Sequence, residues 1–207
     1  MQSNFFDPGK NDANNAAALE RLPGLKYQES LITPTDEKTL VENLTMLPFE
    51  EFDFRGFKGK RKVVSFGWRY DYSGSQLRKA DTIPDFLRPL RAAAASFAQM
   101  EPTSLEQVLV TQYGPGAGIG WHRDKKVFGE VVGISLLSPC ILRFRRLIGE
   151  KQSVGSRQVK SWDRVNLFAA PRSAYLLSGP SRSDWYHSIL RVEELRYAIT
   201  FRSLVMR

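Results

Sequence analysis

His122 and Asp124 close the stretch Thr111-Gln112-Tyr113-Gly114-Pro115-Gly116-Ala117-Gly118-Ile119-Gly120-Trp121-His122-Arg123-Asp124. In extended backbone, residues i and i+2 project to the same side, so an imidazole nitrogen and a carboxylate oxygen can address one point. The chain has two histidines; the other, His187, lies in Ser181-Arg182-Ser183-Asp184-Trp185-Tyr186-His187-Ser188-Ile189. A second imidazole from a distant strand completes two histidines and one carboxylate on one face of a metal ion. That set is the facial triad of non-haem Fe(II) oxygenases, which leaves positions open for a co-substrate and O2. Cys140 is the only cysteine, so an internal disulfide and a thiolate metal cluster are both excluded. Cys140 itself reads as a small apolar strand residue.

The last strand carries a second chemical pattern, Arg196-Tyr197-Ala198-Ile199-Thr200-Phe201-Arg202. Tyr197, Ile199 and Phe201 fall on one face, and Arg196, Ala198, Thr200 and Arg202 on the other. Two arginines on the inner side of a β-layer are costly without anions to pair with, and a dicarboxylate co-substrate provides them. Their Cα atoms are roughly 20 Å apart at the rise of a strand, too far for both to grip one carboxylate.

The elements that must hold these groups are short strands, which begin after residue 105. Turn-punctuated segments cover Gln107–Tyr113, Gly129–Leu137, Ile141–Arg145, Gln158–Leu167, Ser173–Leu177, Trp185–Leu190 and Arg196–Leu204, the pattern of a β-sandwich or barrel. Helices come first: one begins near Thr33-Pro34-Thr35-Asp36-Glu37 with the stripe Leu40, Leu44, Leu47, and another spans Pro84 to Met100, with Pro89 marking its start as a separate turn. A short strand is expected within residues 25–32. Helices first and strands later is an α+β order, and a double-sheet jelly roll is its natural closed form. Residues 1–20, with Asn11-Asp12-Ala13-Asn14-Asn15 at their centre, read as a poorly ordered tail. Residues 21–207 read as a single catalytic domain.

The chain of 207 residues is 42% hydrophobic and 25% charged, the composition of a globular protein with an adequate core. No apolar run approaches the ~20 residues needed to span a bilayer, and no basic segment followed by an apolar one opens the chain. A cytoplasmic monomer with no membrane contact is expected. The net charge of +8 is uneven: residues 1–54 hold four Lys/Arg against ten Asp/Glu, and the remainder is strongly basic. A positive field around a site favours a polyanionic substrate such as nucleic acid.

Taken together and in order, Tyr113-Gly114-Pro115-Gly116, His122-x-Asp124, Gly179-Pro180-Ser181-Arg182 with Tyr186-His187, and Arg196 to Arg202 resemble the AlkB family of Fe(II)- and 2-oxoglutarate-dependent dioxygenases over roughly residues 60–204. The resemblance implies a double-stranded β-helix (jelly roll) with supporting N-terminal helices. It implies Fe(II) held by His122, Asp124 and His187, with 2-oxoglutarate and O2 as co-substrates and no covalent nucleophile. It further implies that Arg202 and Tyr113 bind the C5 carboxylate of 2-oxoglutarate while Arg196 sits nearer the metal. Thr111 and Ala198 stand where bacterial DNA-repair members commonly carry asparagines that help hold the co-substrate. Some repair members also carry an acidic base-positioning residue soon after the metal aspartate; here Lys125 and Lys126 follow, and a lysine accepts no hydrogen bond.

The substrate side is read from Phe66-Gly67-Trp68-Arg69-Tyr70-Asp71-Tyr72. An unbroken strand would put Phe66, Trp68, Tyr70 and Tyr72 on one face, a surface on which bases stack. The stretch resembles the nucleotide-recognition lid of AlkB-type repair enzymes, here expected around residues 52–75. Lys60, Arg61 and Lys62 add a basic cluster for phosphate contact, as do Arg143, Arg145 and Arg146. The expected activity is oxidative removal of methyl groups from bases in DNA or RNA, giving formaldehyde, succinate and CO2. The alternatives are the same oxidation of a protein or small molecule, hydroxylation of a tRNA base, and a non-catalytic binding module.

Overall fold

The structure, a computed structural model, describes residues 7–54, 57–152 and 158–205. In chain order the elements are α1 (Pro8–Arg21), β1 (Leu25–Gln28), α2 (Pro34–Leu44), β2 (Glu50–Phe54), β3 (Phe57–Phe66), β4 (Trp68–Asp71) and β5 (Gln76–Lys79). After a 3-10 turn come α3 (Arg88–Ala98), β6 (Gln107–Tyr113), β7 (Ile119–His122), β8 (Phe128–Leu136), β9 (Cys140–Gln152) and β10 (Gln158–Ala169). The chain ends with β11 (Ala174–Leu177), α4 (Gly179–Ser183), β12 (Tyr186–Ile189) and β13 (Arg196–Leu204).

Two antiparallel sheets face each other. The major sheet runs β1-β11-β8-β13-β6-β3-β2 and the minor sheet β10-β9-β12-β7, with β4 and β5 forming a separate hairpin. Four strands of the one over the four of the other make the double-stranded β-helix. The outer face of the major sheet is dry: Val108, Val110, Ile134, Leu136, Ile199 and Phe201 pack with Leu40 and Leu44 of α2 and Leu90 and Ala94 of α3. Each Val, Leu, Ile or Phe side chain so removed from water contributes about 1.5–3 kcal/mol. A second cluster, including Leu142, Phe144, Val165, Leu167 and Ile189, holds the minor sheet and reaches Ala18 and Leu22 of α1. Cys140 is buried in it.

Local signals explain the helix ends. Thr33 and Asp36 form a capping box, Thr33 Oγ1 accepting from the Asp36 amide at 3.1 Å and Asp36 Oδ2 accepting from the Thr33 amide at 3.0 Å; such a cap contributes about 1 kcal/mol. Pro89 lies in the first turn of α3, after the 3-10 turn Asp85–Leu87.

Two expectations are corrected. Residues from Pro8 onward are not a loose tail but α1, capped by Asp7, whose carboxylate accepts from the Lys10 amide. Its Asn15 amide donates to the Phe168 carbonyl at 3.1 Å and accepts from the Phe168 amide at 2.7 Å, closing part of the free edge of β10. The run Phe66 to Tyr72 is not one strand. Gly67 has φ +73°, where a side chain would collide with the Glu106 carbonyl, and the chain turns there. Phe66 therefore enters the core, while Trp68, Tyr70 and Tyr72 belong to the β4–β5 hairpin and the turn that joins its strands. Of the lid expected around 52–75, β3 is a strand of the major sheet, the hairpin is the separate part, and residues 55–56 lie outside the described residues.

A packing prediction follows from Gly133 in β8, opposite Tyr175 in β11. A methyl group there would overlap the Tyr175 ring. Gly133→Ala is expected to destabilise the protein by about 1–3 kcal/mol, read as a lowered midpoint of thermal unfolding.

Candidate active site

A cavity of about 670 Å³ opens between the sheets. Its floor and walls come from inward residues of both: Thr111, Tyr113, Tyr175, Thr200 and Arg202 from the major sheet, and Ile119, His122, Leu142 and His187 from the minor one. Arg61, Tyr70, Tyr72 and Lys125 line it as well.

The two histidines meet because β7 and β12 are adjacent, with His187 directly opposite His122. Their ring centroids are 4.2 Å apart. Asp124, just past the end of β7, has Oδ2 3.6 Å from His187 Nε2. Two donors at right angles on one ion, each about 2.1 Å from it, are separated by roughly 3 Å. Among the described residues no three His, Cys, Asp or Glu side chains form a finished metal cage; Asp124 Oδ1 instead accepts from Arg202, at 3.1 Å from Nε and 2.9 Å from Nη2. Oδ2 is the oxygen left facing the histidines.

The protonation states are those a cation needs. Burial lowers the His122 and His187 pKa values, His187 to about 3, outweighing the attraction of Asp124, so both rings are neutral. Burial works to raise the Asp124 carboxyl, but the Arg202 guanidinium beside it overcomes this and holds it well below the usual carboxylate range. His122 Nδ1 lies 2.9 Å from the Gly120 carbonyl, an oxygen that only accepts, so the proton is on Nδ1 and Nε2 offers its lone pair.

The inner face of β13 is as its alternation implies, but its two arginines have exchanged stations. Arg202 is at the Asp124 end, where its Nη1 also donates to Gln107 Oε1 at 2.9 Å. Arg196 is at the other end, fully buried, with its guanidinium carbon 5.1 Å from the Tyr113 ring centre and Nε donating to Ser135 Oγ at 3.0 Å. Its Nη1 is buried without a hydrogen-bond partner. The structure thus puts Arg202, not Arg196, at the metal end. The direction of β13 decides the ends, since Arg196 pairs with Tyr113 and Arg202 with Gln107 along β6.

Thr111 and Tyr113, the remaining residues expected at the co-substrate, both line the cavity. The substrate residues are divided. Tyr70 and Tyr72 line the cavity, with ring centroids 5.1 Å apart, and the Lys125 ammonium stands 5.0 and 5.3 Å from their centres. Trp68 does not line it; its ring carries the Lys79 ammonium at 4.1 Å. Arg61 turns inward, whereas Lys60 and Lys62, one residue either side of it, are exposed.

Two residues went unassigned in the sequence. Gln107 had no signal. Arg182 did, as the end of Gly179-Pro180-Ser181-Arg182, but its partners are backbone groups. Its guanidinium donates to the carbonyls of Gly129, Lys125 and Phe128 at 3.0, 2.7 and 2.8 Å, and to that of Asp124 at 3.3 Å. It clamps the loop that presents the carboxylate.

The sequence profile described as the 2OG-Fe(II) oxygenase superfamily matches residues 26–202. The chain belongs to that superfamily. It is an AlkB-like member: it is 28% identical over 184 residues to an Arabidopsis thaliana protein named "Alkylated DNA repair protein ALKBH8 homolog", covering 81% of this chain and 51% of that one. It is 26% identical over 183 residues to the Mus musculus "tRNA (carboxymethyluridine(34)-5-O)-methyltransferase ALKBH8", covering 83% and 25%. The chain thus spans between a quarter and about half the length of these relatives. The solved structure titled "The structure of OsALKBH1" superposes with a TM-score of 0.59 at 17% identity, covering 87% of this chain and 97% of that one, which establishes the fold.

Membership makes the protein a 2-oxoglutarate-dependent dioxygenase that uses Fe(II), 2-oxoglutarate and O2. The residues present fit the metal and a dicarboxylate co-substrate. Two neutral imidazoles and one ionised carboxylate are the donors Fe(II) takes, and a buried arginine with an unpartnered nitrogen and no carboxylate beside it among the described residues suits a dicarboxylate.

Proposed function

We propose that the protein oxidatively removes methyl groups from bases of a nucleic acid, and that the aromatic and cationic mouth of the cavity selects the substrate. His122, Asp124 and His187 would hold Fe(II). Arg196, with Tyr113 and Thr111 nearby, would receive the far carboxylate of 2-oxoglutarate. Bound Fe(II) would supply the redox chemistry by which O2 takes two electrons from 2-oxoglutarate, giving succinate and CO2, and two from a substrate C–H bond, giving C–OH; an N-hydroxymethyl product would then release formaldehyde. The chain's own part is positional. Arg202 fixes Asp124 so that one oxygen faces the histidines, and Arg182 holds the loop that presents it.

The observation that carries this reading is the mouth itself. Tyr70 and Tyr72 line the cavity that holds the triad, with the Lys125 ammonium against both rings and Arg61 in the same lining. A flat base with its phosphates outside matches both features. The names of the relatives, one a repair protein for alkylated DNA and one a tRNA methyltransferase, support the same substrate class. The tRNA name also favours a second reading, hydroxylation of a tRNA base without dealkylation.

Succinate and formaldehyde are to be measured together with methylated single-stranded oligonucleotides, methylated tRNA and methylated peptides. Equal formaldehyde and succinate with a polynucleotide is the expected result, and succinate without formaldehyde selects hydroxylation. Stimulation by peptides alone would overturn the proposal. Tyr70→Ala should weaken oligonucleotide binding by about 1–3 kcal/mol with an unchanged salt slope. Replacing Lys60 and Lys62 together should instead flatten that slope, by about 0.7 for each phosphate no longer neutralised.

A further inference from the structure

We propose that the outer face of the minor sheet is a track for the backbone of a single-stranded nucleic acid, leading away from the cavity mouth; this rests on the nucleic-acid reading above. The register sets the face. In β12 and β9, His187 and Ile189 point inward opposite Phe144 and Leu142, so Tyr186 and Ser188 point outward opposite Arg145 and Arg143. In β10 Arg164 lies directly opposite Arg145 on the same outward side.

The side chains on this face form a layer of guanidinium groups laid on rings. Arg145 lies 4.4 Å from the Trp121 ring centre, 4.2 Å from Trp162 and 5.7 Å from Tyr186. Arg143 lies 4.9 Å from Trp121, and Arg123 lies 4.6 Å from Tyr186. A stacked guanidinium is held flat; Arg123 donates to the Ser183 carbonyl at 2.8 Å and Arg143 Nε to Ser188 Oγ at 3.1 Å, which orients these two groups and leaves the other nitrogens of Arg143 for an anion.

Three observations point to a polyanion. Among the described residues none of Arg123, Arg143 and Arg145 is paired with a carboxylate, whereas the neighbouring Arg146 is paired with Asp163. Arg145 and Arg164 are like charges placed directly opposite, an arrangement that destabilises a sheet unless an anion lies over it. Arg145 Nε is buried without a hydrogen-bond partner. The face is also continuous with the site, because Trp121 and Arg123 flank His122 and line the cavity. From β7 to β10 it crosses three strand spacings, roughly 14 Å, room for a short run of phosphates. The cations lie flat on an open face, which suits an unpaired strand whose base has been drawn into the pocket.

The test is fluorescence anisotropy of labelled oligothymidylate of about 15 nucleotides, and of a labelled trinucleotide, across a KCl series. The full chain is compared with the double variant Arg143→Gln, Arg145→Gln. The longer strand should bind the variant about tenfold or more weakly at low salt, with a salt slope shallower by about 1.4, while the trinucleotide is little affected. Arg143→Lys with Arg145→Lys should restore the slope. Arg164→Glu, at an exposed position, should weaken the long strand without disturbing any ring stack. Equal affinity and slope in unchanged protein and both charge variants would overturn the track while leaving the nucleic-acid reading intact, provided the Lys60 and Lys62 changes still weaken binding. No binding of the long strand to the unchanged protein at low salt, or preference for an oligoglutamate peptide, would overturn both.

Discussion

Asp124→Ala is expected to abolish succinate formation, and to do so in two separable ways. The first is loss of the only carboxylate in the triad, leaving two imidazoles to hold the ion. The second is structural. Arg202 is 8% exposed and its guanidinium meets Asp124 Oδ1 through both Nε and Nη2, so removing the carboxylate leaves a buried cation whose remaining hydrogen-bond partner among the described residues is Gln107. Breaking a buried pair from one side costs about 3–5 kcal/mol. Asp124→Asn separates the two effects, because an amide oxygen still accepts from Arg202 but carries no charge. Its thermal midpoint should lie well above that of the alanine variant, while binding of Mn(II), a redox-stable stand-in, is lost in both. His187→Ala should lose the metal without the stability penalty, since His187 is neutral and completes no ion pair. Full succinate turnover by the Asp124→Ala protein would refute the triad.

What the sequence discloses about this site depends on distance along the chain. The adjacency of His122, Asp124 and His187 is legible because the chain has only two histidines and a strand puts i and i+2 on one side. The inward face of β13 is legible for the same reason. Which end of that face meets Asp124 is not, because periodicity assigns faces and is silent on strand direction; the pairing of Arg202 with Asp124 crosses 78 residues. Helix α1 escapes notice because its asparagines are poor helix formers in isolation, and the bonds that use Asn15 reach Phe168, 153 residues away. The turn at Gly67 is signalled by the glycine, but a period-2 aromatic pattern on both sides outweighs one residue when no partner strand is known. Arg182 binds carbonyls, which no sequence motif displays.

The second large effect concerns Arg196, and it carries opposite signs for the free and the loaded protein. Arg196 is fully buried, with Ser135 and the Tyr113 ring as its partners and one nitrogen unsatisfied. A buried cation without a counter-ion is a liability to the fold, and exchanging it for an apolar side chain of similar volume is often neutral or stabilising. Arg196→Met should therefore leave the thermal midpoint of the unliganded protein unchanged or raised. In the loaded protein the same change leaves a 2-oxoglutarate carboxylate buried with no guanidinium to meet it. Truncating one side of such a pair costs about 2–5 kcal/mol, so half-saturation should require roughly 30-fold or more 2-oxoglutarate, with Mn(II) binding unaltered because Arg196 touches none of the triad. Arg196→Lys should recover part of the loss, a point charge replacing a two-pronged donor. Arg202→Met is the contrasting variant: it releases Asp124, so metal affinity should fall along with co-substrate affinity. An unchanged 2-oxoglutarate requirement in Arg196→Met, with a raised one in Arg202→Met at full metal occupancy, would return the far carboxylate to Arg202 and leave the burial of Arg196 without a functional account.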